Sequence, residues 1–316
     1  MIATVTLNPA VDYTVSLQNP LQKNAVNRTE KEQLTPGGKG INVSLILHRL
    51  GIPTTAHGFL AGFTGTLIDE AIRSAGIPAQ WIRSTDSTQM NRINLKLVEQ
   101  DAVTEFNGSG IQPDAAQLTA LQHQLSAYGK EDTIVLAGSI PKCCPITLYA
   151  DLMSVLATHE IDFAVDAEGD ALIAALSYHP FLIKPNLPEL CALFAQDTIL
   201  GNKQLLYYAA KLQEMGARNV LISLGGDGAL LYTEDKKAYR MAAPQGEIGS
   251  TVGAGDSMLA GFLAGCQQKC SMADALRLGI AAGSATAFSP WLADAVSIHA
   301  LLRTLPQPVE ITVPNL

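Results

Sequence analysis

The chain has 316 residues, is 47% apolar and only 16% charged, and carries a formal net charge of −8. Such a composition suits one large α/β domain with an appendage, or two modest domains, around a sizeable core, and it argues against disorder. An acidic balance without a basic stripe argues against nucleic acid, no segment reads as a membrane span or signal peptide, and five scattered cysteines fit a reduced cytoplasmic protein better than a disulfide framework.

Residues 2–7 read as a buried first strand. Asp12 follows soon after, near a strand end, where α/β folds gather ligands; a plain turn acid is the alternative. Residues 13–34 are polar with some alternation and suggest short strands exposed on one face. Gly37-Gly38-Lys39-Gly40 then sets three glycines around a lysine, ahead of a helix that stops at Gly51 and Pro53. It resembles a phosphate-binding loop in composition but lacks the P-loop spacing, so a plain glycine-rich turn stays open. Thr54 to Leu60 reads as strand, Thr66 to Ser74 as helix and Trp81 to Arg83 as strand. In Met90 to Val98, Ile93, Leu95 and Leu97 alternate with Arg92, Asn94 and Lys96, and residues 101–107 suggest a hairpin return. Residues 13–34 and 88–107 therefore form a small β lid. Its cationic face suits an anionic substrate. Residues 1–12, 35–87 and 108–316 make the α/β core.

Beyond Pro113, helices alternate with short apolar strands at Thr133 to Ala137, Phe163 to Asp166, Phe181 to Lys184 and Asn219 to Ser223. That alternation means a mostly parallel sheet covered on both faces. A hairpin-like pair, Ala229 to Tyr232 and Ala238 to Met241, precedes two final helical regions, to Gln268 and from Met272 to Phe288. Polar residues collect just after the strands, at Asp12, Ser139, Asp166, Lys184 to Asn186 and Ser223 to Gly225, on the carboxyl edge where α/β sheets bind ligands.

The nonapeptide Gly249 to Ser257 is a run of small residues that feeds an apolar helix and carries one acid. Unpaired N–H groups and the helix dipole favour an anion there, and Gly253, Ala254 and Gly255 let a phosphate come close. Asp256 beside such a cradle suits a base that takes the proton of a hydroxyl; a helix cap is the competing role. Cys266 and Cys270 are four apart, but no partner set with zinc-like spacing completes them, and Cys143 and Cys144 are adjacent.

Six motifs occur in one order: Thr6 to Asp12, Gly37 to Val43, Arg92 to Lys96, Gly138 to Pro141, Lys184 to Leu190 and Ser250 to Ser257. Together they resemble the PfkB (ribokinase-like) carbohydrate kinases, most closely the branch that acts on fructose 1-phosphate, with the tagatose 6-phosphate and fructose 6-phosphate kinases as alternatives. A non-catalytic sugar-phosphate sensor on the same fold is the alternative of another class. The resemblance implies a ribokinase-like three-layer domain with a β lid, dimers through the lid, and ATP with Mg2+. It implies Asp256 as base and Gly253, Ala254 and Gly255 as anion hole. Asp12, Gly38 and Asn42 would hold sugar hydroxyls, and Lys39, Arg92 and Ser139 the phosphate already on the sugar. Lys184, Asn186 and Glu189 would serve nucleotide and magnesium, while Ser223, Gly225, Gly228, Thr251, Gly283 and Ser284 would line the nucleotide. Ala167, Glu168, Cys143 and Cys144 depart from the family pattern, leaving the roles of the Asp166 segment and the cysteine turn open.

Overall fold

A computed structural model describes residues 1–99, 102–199 and 201–313. The first half of the chain forms β1 (Ile2–Thr6), β2 (Ala10–Leu17), β3 (Thr29–Gly37), α1 (Lys39–Arg49), β4 (Thr54–Leu60), α2 (Gly62–Ser74), β5 (Ala79–Arg83), β6 (Arg92–Val98), β7 (Val103–Asn107) and α3 (Ala115–Leu125). It continues through β8 (Thr133–Ala137), α4 (Leu148–Val155), β9 (Asp162–Asp166), α5 (Gly169–Leu176), β10 (Leu182–Ile183), α6 (Leu187–Leu193) and α7 (Gly201–Glu214). The last third holds β11 (Asn219–Ser223), β12 (Ala229–Tyr232), β13 (Ala238–Met241), α8 (Ala254–Gln267), α9 (Met272–Ala287), α10 (Ala295–Thr304) and β14 (Val309–Ile311).

A ten-stranded sheet runs β14-β13-β12-β11-β10-β9-β8-β1-β4-β5. From β11 to β5 all neighbours are parallel, and β12, β13 and β14 add an antiparallel edge. The inner parallel strands are buried on both faces, while the edge strand β5 is partly exposed. One apolar layer lies against α1, α8 and α9, and the other against α3, α4, α5 and α7. β1 sits where the strand order reverses, between β8 and β4, so a crevice opens beyond its carboxyl end. α8 and α9 approach closely because their contacts are glycines: a Cβ on Gly261 would lie 2.6 Å from the Leu278 carbonyl oxygen. This close seat fixes where the N-terminus of α8 points.

The second sheet, β3-β2-β6-β7, is mixed: its outer pairs are antiparallel, but β2 runs parallel to β6. It takes in Asp12 and residues 35–37, since β2 begins at Ala10 and β3 ends at Gly37. The expected return strand starts at Val103, and Asp101 lies outside the described residues.

The helical region from Met272 is not the last one, because α10 and β14 follow it. Their sequence signal is weak: in α10 only Ile298 is buried while Val296 is exposed, and β14 is a three-residue edge strand. The strand expected over Phe181 to Lys184 shortens to two residues, because Lys184 and Pro185 already belong to the polar edge. Among the described residues no helix is long and apolar enough to cross a membrane.

Candidate active site

Two helices begin on glycine at the crevice. Gly38 caps α1 with φ 126°, Gly253 caps α8 with φ 77°, and neither supplies a side-chain cap. In α8 the Ala254 N–H turns back to the Thr251 carbonyl at 3.3 Å; the N–H groups of Gly255 and Asp256 are left for an outside partner, and the positive helix end favours an anion. A side chain at Gly253 would need the left-handed backbone and would meet Leu292 Cδ2 at 2.6 Å. The two helices are joined across the site by one bond, Asn42 Nδ2 donating to Asp256 Oδ2 at 2.8 Å.

A charge cluster lies beneath. β9 and β10 are adjacent and parallel, so Asp166 and Lys184 emerge side by side at their carboxyl ends. Asp166 is fully buried, with Lys39 Nζ 3.0 Å from Oδ1 and Lys184 Nζ 3.1 Å from Oδ2. Burial alone would raise the Asp166 pKa, but Lys184 and Lys39 overcome it and hold the carboxyl below its ordinary value. For Lys39 burial acts downward, yet Asp166, Asp256 and Glu189 together keep the ammonium above its usual range. Asp256 has the opposite balance. Burial, then the Asp166 charge, push its carboxyl up to about 6 against the pull of Asn42 and both lysines. A buried carboxyl poised there is suited to accept a proton near neutral pH.

Glu189 and Asn186 form a capping box at the start of α6: each side chain accepts the other's backbone N–H at 2.8 Å. Burial raises the Glu189 pKa, and its other oxygen lies 4.0 Å from Lys39 Nζ.

Three cavities meet around this cluster. The largest, about 590 Å³, is lined by Lys184, Asn186, Glu189, Ser223, Gly225, Gly228, Thr251, Ala254, Gly255, Asp256, Gly283 and Ser284. Every expected nucleotide residue is thus on one wall system. A smaller cavity of about 210 Å³ collects Gly38, Lys39, Arg92 and Ser139, with Asn8. Asp12 and Asn42 line a third, of about 410 Å³, under the small sheet. Lys39 faces both of the first two, so its ammonium stands between them rather than in the small cavity alone. Arg92 Nε donates to the Asn8 carbonyl at 3.2 Å, and burial lowers its pKa while Asp12 counteracts.

The polar face of β6 is not a free cationic surface. Lys96 Nζ lies 3.1 Å from Asp12 Oδ2 and Asn94 Nδ2 donates to Oδ1 at 2.8 Å, so this lysine is spent on fixing Asp12. Cross-strand partners share a face, and the alternation put Asn94 beside Lys96; their common partner Asp12 is set by the β2–β6 register, Asp12 opposite Asn94. Asp166 is the larger omission. Its signal was a strand-final acid, but the following Ala167 and Glu168 obscured it; Ala167 is buried, and Glu168 is an exposed side chain 3.9 Å from Lys39.

Among the described residues no group of three or more His, Cys, Asp or Glu side chains is placed to hold a metal ion.

The profile of the pfkB family carbohydrate kinases matches residues 5–296. A 1-phosphofructokinase of Bacillus subtilis is 39% identical over 302 residues, covering 96% of this chain and 97% of that protein. A D-tagatose-1-phosphate kinase of Bacillus licheniformis is 36% identical over 93% of this chain and 95% of its own length. The crystal structure of phosphofructokinase-2 from Escherichia coli, in complex with substrates and products, superposes with a TM-score of 0.89 at 26% identity, over 96% of this chain and 99% of that one.

Proposed function

Since the chain belongs to the pfkB family of carbohydrate kinases, we propose that it transfers the γ-phosphoryl group of ATP to the 6-hydroxyl of D-fructose 1-phosphate, giving fructose 1,6-bisphosphate and ADP. One observation carries the assignment of roles: the bare N-terminus of α8 opens onto the large cavity beside a buried carboxyl, Asp256, held by Asn42. Gly253, Ala254 and Gly255 receive the phosphoryl group in transit, and Asp256 takes the hydroxyl proton. Asp12, Gly38 and Asn42 hold sugar hydroxyls. Arg92, Ser139 and Lys39 hold the phosphate already present, with Lys39 also reaching toward the transferring group. Ser223, Gly225, Gly228, Thr251, Gly283 and Ser284 line the nucleotide, and Lys184 and Asn186 sit at its phosphate end.

Magnesium fits this arrangement as an ion carried largely by the nucleotide, since Glu189 alone of the acids beside Lys39 and Lys184 lines the phosphate end with Asp256, and among the described residues no protein cage forms. When bound it neutralises charge on the phosphate oxygens. Free cysteines and use of ATP suit the reducing cytoplasm.

An ADP-release assay with fructose 1-phosphate, tagatose 1-phosphate, fructose 6-phosphate and tagatose 6-phosphate tests the acceptor. Fructose 1-phosphate should give the highest kcat/KM, and a clear preference for either 6-phosphate would overturn the assignment. The tagatose-1-phosphate kinase relative makes the C4 epimer the serious rival, since it offers the same phosphate and the same hydroxyl.

Arg92→Ala should raise KM for the sugar phosphate by about 10–100-fold, the worth of a hydrogen bond to a charged group, with little change in KM for ATP. A rise confined to ATP would move the phosphate site elsewhere.

A homodimer through the small sheet is also proposed. Leu34, Tyr13, Leu95 and Phe106 stand in one cross-strand row on the face opposite Asp12, and Leu34 and Phe106 are exposed. A second copy of this face is the proposed cover. Phe106→Glu should shift the sedimenting species toward monomer; an unchanged mass would show that the contact lies elsewhere.

A further inference from the structure

The turn Pro141 to Cys144 places two free thiols side by side, with Cys143 Sγ and Cys144 Sγ 3.8 Å apart. Cys143 is exposed, while Cys144 is half-buried and packs with Ile140 against the core. The turn is closed by Cys144 N–H donating to the Pro141 carbonyl at 2.9 Å. It follows directly on Gly138 and Ser139, which line the small cavity.

We propose that Cys143 and Cys144 are a reversible dithiol–disulfide site that controls the small cavity: oxidation by a peroxide closes the adjacent thiols into a ring, displaces Ser139 and weakens binding of the acceptor's phosphate. The second half rests on the phosphate role given to that cavity above.

The chemistry balances. The exposed Cys143 thiolate attacks one peroxide oxygen; the O–O bond breaks, the other oxygen leaves as water, and Cys143 becomes a sulfenic acid. The Cys144 sulfur then attacks Cys143 Sγ, displacing the hydroxyl as a second water and forming the S–S bond. Two electrons pass from the two thiols to the peroxide. Cys144 is suited to the second step: burial, reinforced by its hydrogen bond with Cys143, pushes its thiol up to about 11 and so disfavours first attack. A dithiol reductant reverses the step by two exchanges.

Geometry makes the ring consequential. Neighbouring Cα atoms are about 3.8 Å apart across a trans peptide, short of the roughly 4.4 Å that disulfides normally span. The closed form is therefore strained, and a strained disulfide is readily reduced. Pro141 and Pro145 bracket the turn and cannot absorb the change by rotating φ. On the upstream side Gly138 is pinned: its N–H donates to the Asp166 carbonyl at 3.0 Å and its carbonyl accepts from Tyr149 Oη at 3.0 Å. The displacement is therefore shared by exposed Lys142 beside the ring and, through buried Pro141, by Ile140 and Ser139 up to the pinned Gly138.

The full chain is treated with hydrogen peroxide, quenched, and assayed before and after dithiothreitol, with peptide masses measured in parallel. The 143–144 peptide should lose two hydrogens, KM for fructose 1-phosphate should rise about tenfold, about the worth of one lost hydrogen bond to a charged group, and KM for ATP should stay. Dithiothreitol should restore both mass and KM. Cys143→Ser and Cys144→Ser, each retaining Cys191, Cys266 and Cys270, should show ordinary kinetics before treatment; Cys143→Ser should resist peroxide, and Cys144→Ser should gain oxygen at Cys143 without the ring or the rise in KM. In the parent, added oxygen in place of the ring or a ring without a change in KM would overturn the proposal, as would sensitivity that persists in Cys143→Ser. Arg92→Ala and Ser139→Ala separate the two premises. If they leave sugar-phosphate KM unchanged, the cavity's phosphate role fails; if they raise it while the ring does not, the switch fails.

Discussion

Asp256→Asn should still bind ATP and the sugar phosphate yet lose about 10²–10⁴-fold in kcat, the usual cost of removing a general base. The amide keeps the shape of the carboxyl, and Asn42 has an oxygen to donate to, so the bridge between α1 and α8 survives. What is lost is only the ability to take the proton. Equilibrium titration of each substrate with single-turnover measurement separates the two effects, and near wild-type turnover would remove Asp256 from the mechanism. Because burial and the Asp166 charge push the Asp256 carboxyl up to about 6, kcat/KM should fall below that pH in the parent enzyme. Stability has the reverse sense. The folded chain holds the Asp256 proton more tightly than the unfolded chain, whose carboxyl titrates near 4. Folding is therefore favoured by this group at low pH, and that share is lost as pH rises toward and past about 6. Denaturant curves at pH 5 and 7 should show a smaller loss in Asp256→Asn than in the parent, the remainder including the share of Glu189, which is raised in the same sense.

Asp166→Ala should cost about 3–5 kcal/mol of stability, as expected when one partner of a buried ion pair is removed and the others are stranded. Here two ammonium groups, Lys39 and Lys184, would be left facing each other without their shared carboxylate. Chemical denaturation reads the effect, and a loss below about 1 kcal/mol, the scale of exposed pairs, would show that the cluster is solvated in solution. Asp166 is depressed rather than raised, so its stabilisation is present above its unfolded pKa and disappears as pH falls through the folded one. A second consequence concerns Asp256. Removing the Asp166 charge takes away one of the influences that raise it, so the acid limb of kcat/KM should move to lower pH in whatever activity remains.

Much of the fold was legible because the central parallel strands β8, β9 and β11 each carry a continuous apolar run ended by polar residues, and these ends coincide with the site. The two helix starts were legible too, since glycines at Gly38 and Gly253 mark positions where a side chain is excluded. What escaped was relational. That Lys96 is neutralised by Asp12 depends on β2 pairing parallel with β6, which no local pattern encodes. That Asp166 ties Lys39 to Lys184 depends on strand order in the sheet. α10 and β14 escaped for a humbler reason: they bury too little to write a period into the sequence.

The parallel pairing of β2 with β6 also sets an order of assembly. Ala10 lies opposite Arg92, with α1, β4, α2 and β5 strung between them. Closing so long a loop is entropically costly, and non-local pairings of this kind form slowly. Strand β2 has no mate on its β6 side until the intervening core has been made. The β2–β3 pairing, by contrast, joins strands adjacent in the chain and can form early, so the small sheet is completed only when β6 arrives on the far side of β2.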